Sequence, residues 1–135
     1  MSPEENQRTS DRSVPSAQSV RSYQDLQVWQ KADELVHLIY DLTNNFPKSE
    51  LYNLTDQLKR ASLSVPTNIV EGFYRYSKKE QHKFLLIALA SLKETDYLAL
   101  FAHKRGCLTE QEFRQIQAIV IQLEPMLKSF IFKLK

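Results

Sequence analysis

The chain has 135 residues, 42% hydrophobic and 25% charged, with a formal net charge of +2; this fits one globular domain and excludes both a two-domain protein and a polyelectrolyte. Two glycines and five prolines are too few for an all-β fold, which needs frequent turn residues. A single cysteine, Cys107, excludes an intrachain disulfide and a cysteine metal cluster and suits a reducing, cytoplasmic setting.

Residues 1–22 carry three acids (Glu4, Glu5, Asp11), three bases (Arg8, Arg12, Arg21) and only two valines. Such a segment buries too little apolar surface to offset its ordering entropy, so it reads as a disordered tail. It has no apolar h-region, so it is not a secretory signal. No run of about 18 apolar residues follows it, so no membrane span is expected. The domain is placed at 23–135.

From Tyr23 onward the apolar period is helical. Val28, Ala32, Leu35, Ile39, Leu42 and Phe46 form the first stripe. Asn44, Asn45 and Pro47 end that helix. The second stripe is Leu51, Leu54, Leu58, Ala61, Val65 and Ile69. Pro66 falls inside it and predicts a kink or a break. Ser77 to Glu80 and Thr109 to Glu112 read as capping boxes that open a third and a fourth helix. Gly106 between them is a C-cap. The fourth stripe runs Phe113, Ile116, Val120, Leu123, Leu127, Phe130 and Leu134, with Pro125 on its flank. Four long helices with short connections predict an all-α, up-down-up-down four-helix bundle.

The third helix is apolar nearly all round from Phe84 to Leu92, interrupted only by Ser91. One apolar face satisfies a bundle. The other predicts self-association, with Leu85, Leu86, Leu89 and Leu92 as the interface.

The segment Ser64 to Arg75 places a proline, a glycine and polar side chains at helical spacing. Asn68 and Glu71 lie one turn apart, and Gly72 removes a side chain beside them. One reading is a structural polar latch of Asn68, Glu71 and Gly72 that satisfies groups freed by Pro66 or holds a neighbouring helix. The other is a ligand or partner site. Lys59, Arg60, Arg75, Lys78, Lys79, His82 and Lys83 form a basic cluster in the sequence, interleaved with Tyr74 and Tyr76. Repeated by oligomeric symmetry, it suits a phosphate backbone. Arg75 and His82 also fit the loose spacing of helical metal-independent ribonucleases. Glu34 and His37 make one Glu-x-x-His, where a di-iron bundle needs two. No metal or cofactor is therefore expected, and Cys107 lacks an obvious base.

Several segments together resemble a known family. They are Tyr23-Gln24-Asp25-Leu26 with Val28-Trp29, Phe46-Pro47 with Glu50, and Leu54 to Ala61. The fullest is Ser64-Val65-Pro66 with Asn68-Ile69, Glu71-Gly72 and Arg75. Phe84-Leu85, Ala88, Ser91-Leu92 and Glu94 continue the pattern. The run 23–135 resembles the four-helix bundle proteins encoded by intervening sequences of bacterial 23S ribosomal RNA genes, and is similar to the accessory proteins of diversity-generating retroelements. The resemblance implies a homopentamer and, as partners, RNA or a reverse transcriptase. It carries over no catalytic residue. The expected function is a non-enzymatic scaffold; a ribonuclease using Arg75 and His82, or a pure protein-interaction module, are the alternatives.

Overall fold

The computed structural model describes residues 20–133. Most of the tail expected over 1–22 lies outside them, as does Leu134 of the fourth stripe. Four long helices make up the described chain: α1 (Gln27–Thr43), α2 (Asp56–Phe73), α3 (Lys78–Lys104) and α4 (Glu110–Lys133), with no strand among the described residues. α1 packs on α2 and α4, and α3 packs on α2 and α4; the α2–α3 contact is the most extensive. None of the helices is long and apolar enough to cross a membrane.

Local chemistry sets each boundary. Ser22 caps a 3-10 turn over Tyr23–Asp25, and Asp25 reaches back to the Ser22 N–H. Asp25 also accepts from the Arg21 N–H at 2.9 Å. The capped turn thus includes Arg21 and Ser22, ahead of Tyr23. α1 ends by tightening: the N–H groups of Asn44, Asn45 and Phe46 bond three residues back. The Ser77 hydroxyl accepts from the Glu80 N–H at 3.1 Å and opens α3. Gly106, at φ 82°, closes it. Cys107 N–H reaches Ala102 O and Gly106 N–H reaches His103 O, the paired bonds of a Schellman cap. Thr109 and Glu112 form the full reciprocal box at the start of α4, with bonds of 2.8 and 3.1 Å.

The core follows the four stripes, with Leu35, Ile39, Leu58, Ile69, Leu92 and Leu123 fully buried. Burial of each such side chain contributes about 1.5–3 kcal/mol. Two stripes end short. Thr43 closes α1, and Phe46 enters the core from the following loop. Leu51–Thr55 is a single π-helical turn; its wider winding leaves Leu51 exposed while Leu54 stays buried. The two internal prolines sit in continuous helices. Pro125 is exposed, and the carbonyl it leaves without a helical donor belongs to exposed Ile121. Pro66 is buried.

The third helix corrects the expected interface. Leu85 and Leu92 are spent in the chain's own core, and Leu89 packs half-buried against it. Of the four leucines, only Leu86 stands outward, 45% exposed. Successive residues turn by about 100°, so an all-apolar run must divide between both faces.

α3 and α4 are also joined by charge. The Glu124 carboxylate accepts from Lys93 at 2.8 Å and from Lys128 at 2.9 Å. These hydrogen bonds, that from Lys93 foremost, hold its pKa below the ordinary glutamate value. A depressed carboxylate stabilises the fold above its unfolded pKa, about 4.3, and loses that contribution as pH falls through the folded value. Glu124→Gln should lower stability by about 0.5–1 kcal/mol at neutral pH. Urea titrations of both proteins should show the gap closing below about pH 4.

Candidate functional site

The seam between α2 and α3 is built from small and hydroxylated residues. Ser91 and Thr95 on α3 are buried, and Gly72 on α2 is covered. A Cβ added at Gly72 would lie 3.2 Å from the carbonyl oxygen of Gln81 and 3.4 Å from the Cβ of Phe84. A side chain there would be tight against the backbone at the start of α3, so the glycine suits the close approach of the two helices. Further along, the Ser64 and Ser91 hydroxyls share a hydrogen bond of 2.8 Å across the seam. The Asn68 amide donates to the Ser64 carbonyl at 2.8 Å and to the Ser64 hydroxyl at 2.9 Å. Thr95 donates back to Ser91 O at 2.8 Å.

A polar latch is present, then, but with different members. Asn68 holds Ser64, which holds Ser91 on α3. Glu71 is not part of it: its carboxylate is half-exposed and pairs with Arg75 at 2.8 Å. Asn68 follows Ser64 by one turn and bonds back to it, whereas the Glu71 carboxylate reaches one turn forward to Arg75 in solvent. Nor does the latch repair Pro66. The carbonyl that Pro66 leaves unbonded belongs to Ser62, whereas Asn68 serves Ser64. The hydroxyls of Ser62 and Thr67 bond back to Lys59 O and Leu63 O, a side-chain pattern that often bends a helix. Ser64, Ser91 and Thr95 were missed as site residues; the four-residue spacings of Ser64 to Asn68 and Ser91 to Thr95 were the available signal.

The basic cluster divides in space. Lys59 and Arg60 lie at the start of α2, with about 20 Å of helix between them and its end. Lys59 sits over the Tyr40 ring at 4.9 Å, and Arg60 pairs with Asp56 at 3.1 Å. Arg75, Lys78, Lys79, His82 and Lys83 gather at the α2–α3 corner. There the Arg75 guanidinium is engaged on two sides, by Glu71 and by the Phe84 ring at 4.7 Å. Gln81 binds the Arg75 carbonyl at 2.9 Å and ties the corner to α3. Lys83 lies 5.7 Å from the Phe84 ring. Lys78 and Lys79 are exposed, and His82 is half-buried. Only part of the sequence cluster is therefore a patch on one chain.

The other candidates resolve into ordinary surface. His37 faces Asp33 at 3.4 Å and Glu34 pairs with Lys31 at 3.1 Å, so the Glu-x-x-His splits into two helix-surface pairs. No group of three metal-ligating side chains stands together among the described residues. Burial pushes the Cys107 thiol up from its ordinary value, with the Glu50 charge adding to it; a protonated thiol is a poor nucleophile.

These features define a class: an all-helical, four-helix protein with a close polar seam and a basic corner. The chain belongs to the 23S rRNA-intervening sequence protein family, whose model matches residues 24–129. A solved structure from Bacteroides thetaiotaomicron VPI-5482, a protein of unknown function from the S23 ribosomal protein family, is similar at a TM-score of 0.69. It shares 23% identity, over 77% of this chain and 97% of its own. That likeness carries the fold alone. No curated protein matches the chain.

The corrected latch gives a direct test. Asn68→Ala should cost about 1–3 kcal/mol, because it leaves the Ser64–Ser91 pair short of a donor inside a packed seam. Glu71→Ala should change stability by less than about 1 kcal/mol, as for an exposed helix pair. Denaturant midpoints of the two variants decide between the assignments.

Proposed function

We propose that this protein is a non-enzymatic, cytoplasmic scaffold: an up-down-up-down bundle that assembles into a homo-oligomer and binds RNA or a nucleic-acid enzyme such as a reverse transcriptase. The supporting observation is apolar surface that the single chain leaves uncovered. On α3, Leu86, Ala90, Tyr97 and Phe101 share one outward stripe, and α2 adds exposed Leu63. Tyr97 and Phe101 wall a shallow groove of about 250 Å³ with Asn53 and Gln57 of the α1–α2 side. On α4, Ala118, Ile121, Pro125 and Phe132 make a second stripe, with Ile121 68% exposed.

Two dissimilar faces favour a heterologous contact. Such contacts form rings where the rotation between copies closes, whereas a dimer uses one self-complementary face. That agrees with the five copies the family resemblance implies. A ring would repeat the lysines of the α2–α3 corner once per subunit, which suits a phosphate backbone. A ribonuclease through Arg75 and His82 has less support, since the Arg75 guanidinium is already held by Glu71 and Phe84.

Light scattering at micromolar concentration should return about five times 15.8 kDa. The Leu86→Lys, Phe101→Lys double variant should be helical and much smaller, since both side chains are exposed in the single chain. A monomeric wild type refutes the assembly.

RNA binding should weaken steeply with salt through counterion release. Changing Lys78, Lys79 and Lys83 to Glu should weaken binding of an RNA hairpin about tenfold or more and flatten the salt slope. Unchanged affinity would remove the lysines from the account. Absence of binding by wild type at low salt would leave the protein-interaction module.

A further inference from the structure

We infer that the α2–α3 corner takes unpaired RNA, with Tyr76 stacking on an exposed base while Lys78, Lys79 and Lys83 hold the neighbouring phosphates. The inference rests on the RNA-binding reading above and specifies its ligand. It starts from the connection between the helices. Only Tyr74, Arg75, Tyr76 and Ser77 separate α2 from α3. Turn geometry favours Gly, Asn, Asp, Ser or Pro at such positions, so nothing in the connection itself calls for two tyrosines.

The two tyrosines are used differently. Tyr74 folds back: its ring meets Phe73 at 4.9 Å and Tyr23 at 6.3 Å, and Tyr23 in turn meets Trp29 at 4.9 Å. It anchors the N-terminal turn to the corner. Tyr76 is fully exposed and has no ring partner among the described residues. An aromatic ring held out at a short connection, between a capped helix and a well-packed seam, presents both faces to a ligand.

Its surroundings carry the right charge. Lys78 and Lys79 follow within three residues, both exposed, and Lys83 lies one turn beyond Lys79 on the same side of α3. The nearby acids are Glu71, whose carboxylate pairs with Arg75, and Glu80, which stands among the lysines in the first turn of α3. Three lysines in or near the first turn oppose the helix dipole. An anionic ligand would offset that repulsion.

Stacking distinguishes the ligand. In a duplex the base faces are covered by neighbouring pairs, and Tyr76 would meet only backbone. In a single strand or loop the faces are open, and aromatic side chains stack on them without sequence preference. Charge alone predicts the opposite order, because a duplex carries roughly twice the charge per length of a single strand. Preference for the single strand therefore reports stacking rather than electrostatics.

The experiment is a fluorescence-anisotropy titration of the full chain with an unstructured 20-nucleotide RNA and with the duplex of the same sequence. Wild type should bind the single strand more tightly. Tyr76→Ala should weaken single-strand binding about tenfold, leave duplex binding and the salt slope unchanged, and be rescued by Tyr76→Phe. Tyr76 is fully exposed and buries nothing in the core, and circular dichroism of each variant checks that the fold is kept. Equal or tighter duplex binding by wild type, or no effect of Tyr76→Ala, overturns this inference while leaving lysine-dependent RNA binding standing. Failure of wild type to bind either RNA overturns both.

Discussion

The close approach of α2 to α3 is the constraint on which the rest of the structure depends. It is possible because Gly72 has no Cβ where the Gln81 carbonyl passes, and because the opposing residues further along are serine and threonine rather than leucine. A close seam brings hydroxyls together away from water, and buried polar groups must then bond one another. Asn68, Ser64, Ser91 and Thr95 meet that requirement within the two helices. Polar pairing of this kind is directional, so it fixes one register where leucine-on-leucine packing would tolerate several.

The seam also decides what is left for the surface. With Leu85, Ala88 and Leu92 turned inward, the opposite side of α3 carries the remaining apolar residues outward. The helix supplies the chain's core and, in the proposed assembly, a contact with the next copy. The same geometry places the short α2–α3 connection at one end of the bundle, where Gln81 and Phe84 hold Arg75 against the helix. Lys78, Lys79 and Tyr76 beyond that anchor stand exposed, and Lys83 lies beside the Phe84 ring. Rigidity below and exposure above is a physically reasonable arrangement for a surface that meets a partner.

Membership of the 23S rRNA-intervening sequence protein family agrees with this architecture without assigning it a task. The helical relative from Bacteroides thetaiotaomicron is itself described as a protein of unknown function. What the surface offers a partner is its chemistry: uncovered apolar stripes on α3 and α4, and a basic, aromatic corner between α2 and α3.

The sequence by itself determined the helices, their caps and most of the core. Apolar spacing, capping residues such as Thr109 with Glu112, and the lone Gly106 act over a few residues, so their consequences are legible locally. It also marked Ser64 to Gly72 as unusual. What it did not reveal was which partner each polar residue there takes. Asn68 and Glu71 look equivalent in one dimension, but only Asn68 bonds into the Ser64–Ser91 pair, while Glu71 pairs with Arg75. Leu85 and Leu86 are neighbours of equal hydrophobicity, and one is core while the other is surface. Lys59 and Lys79 belong to one basic run on paper and to opposite ends of α2 in space. Each of these outcomes depends on which helix lies against which face, and that choice is made jointly by all four helices when they pack.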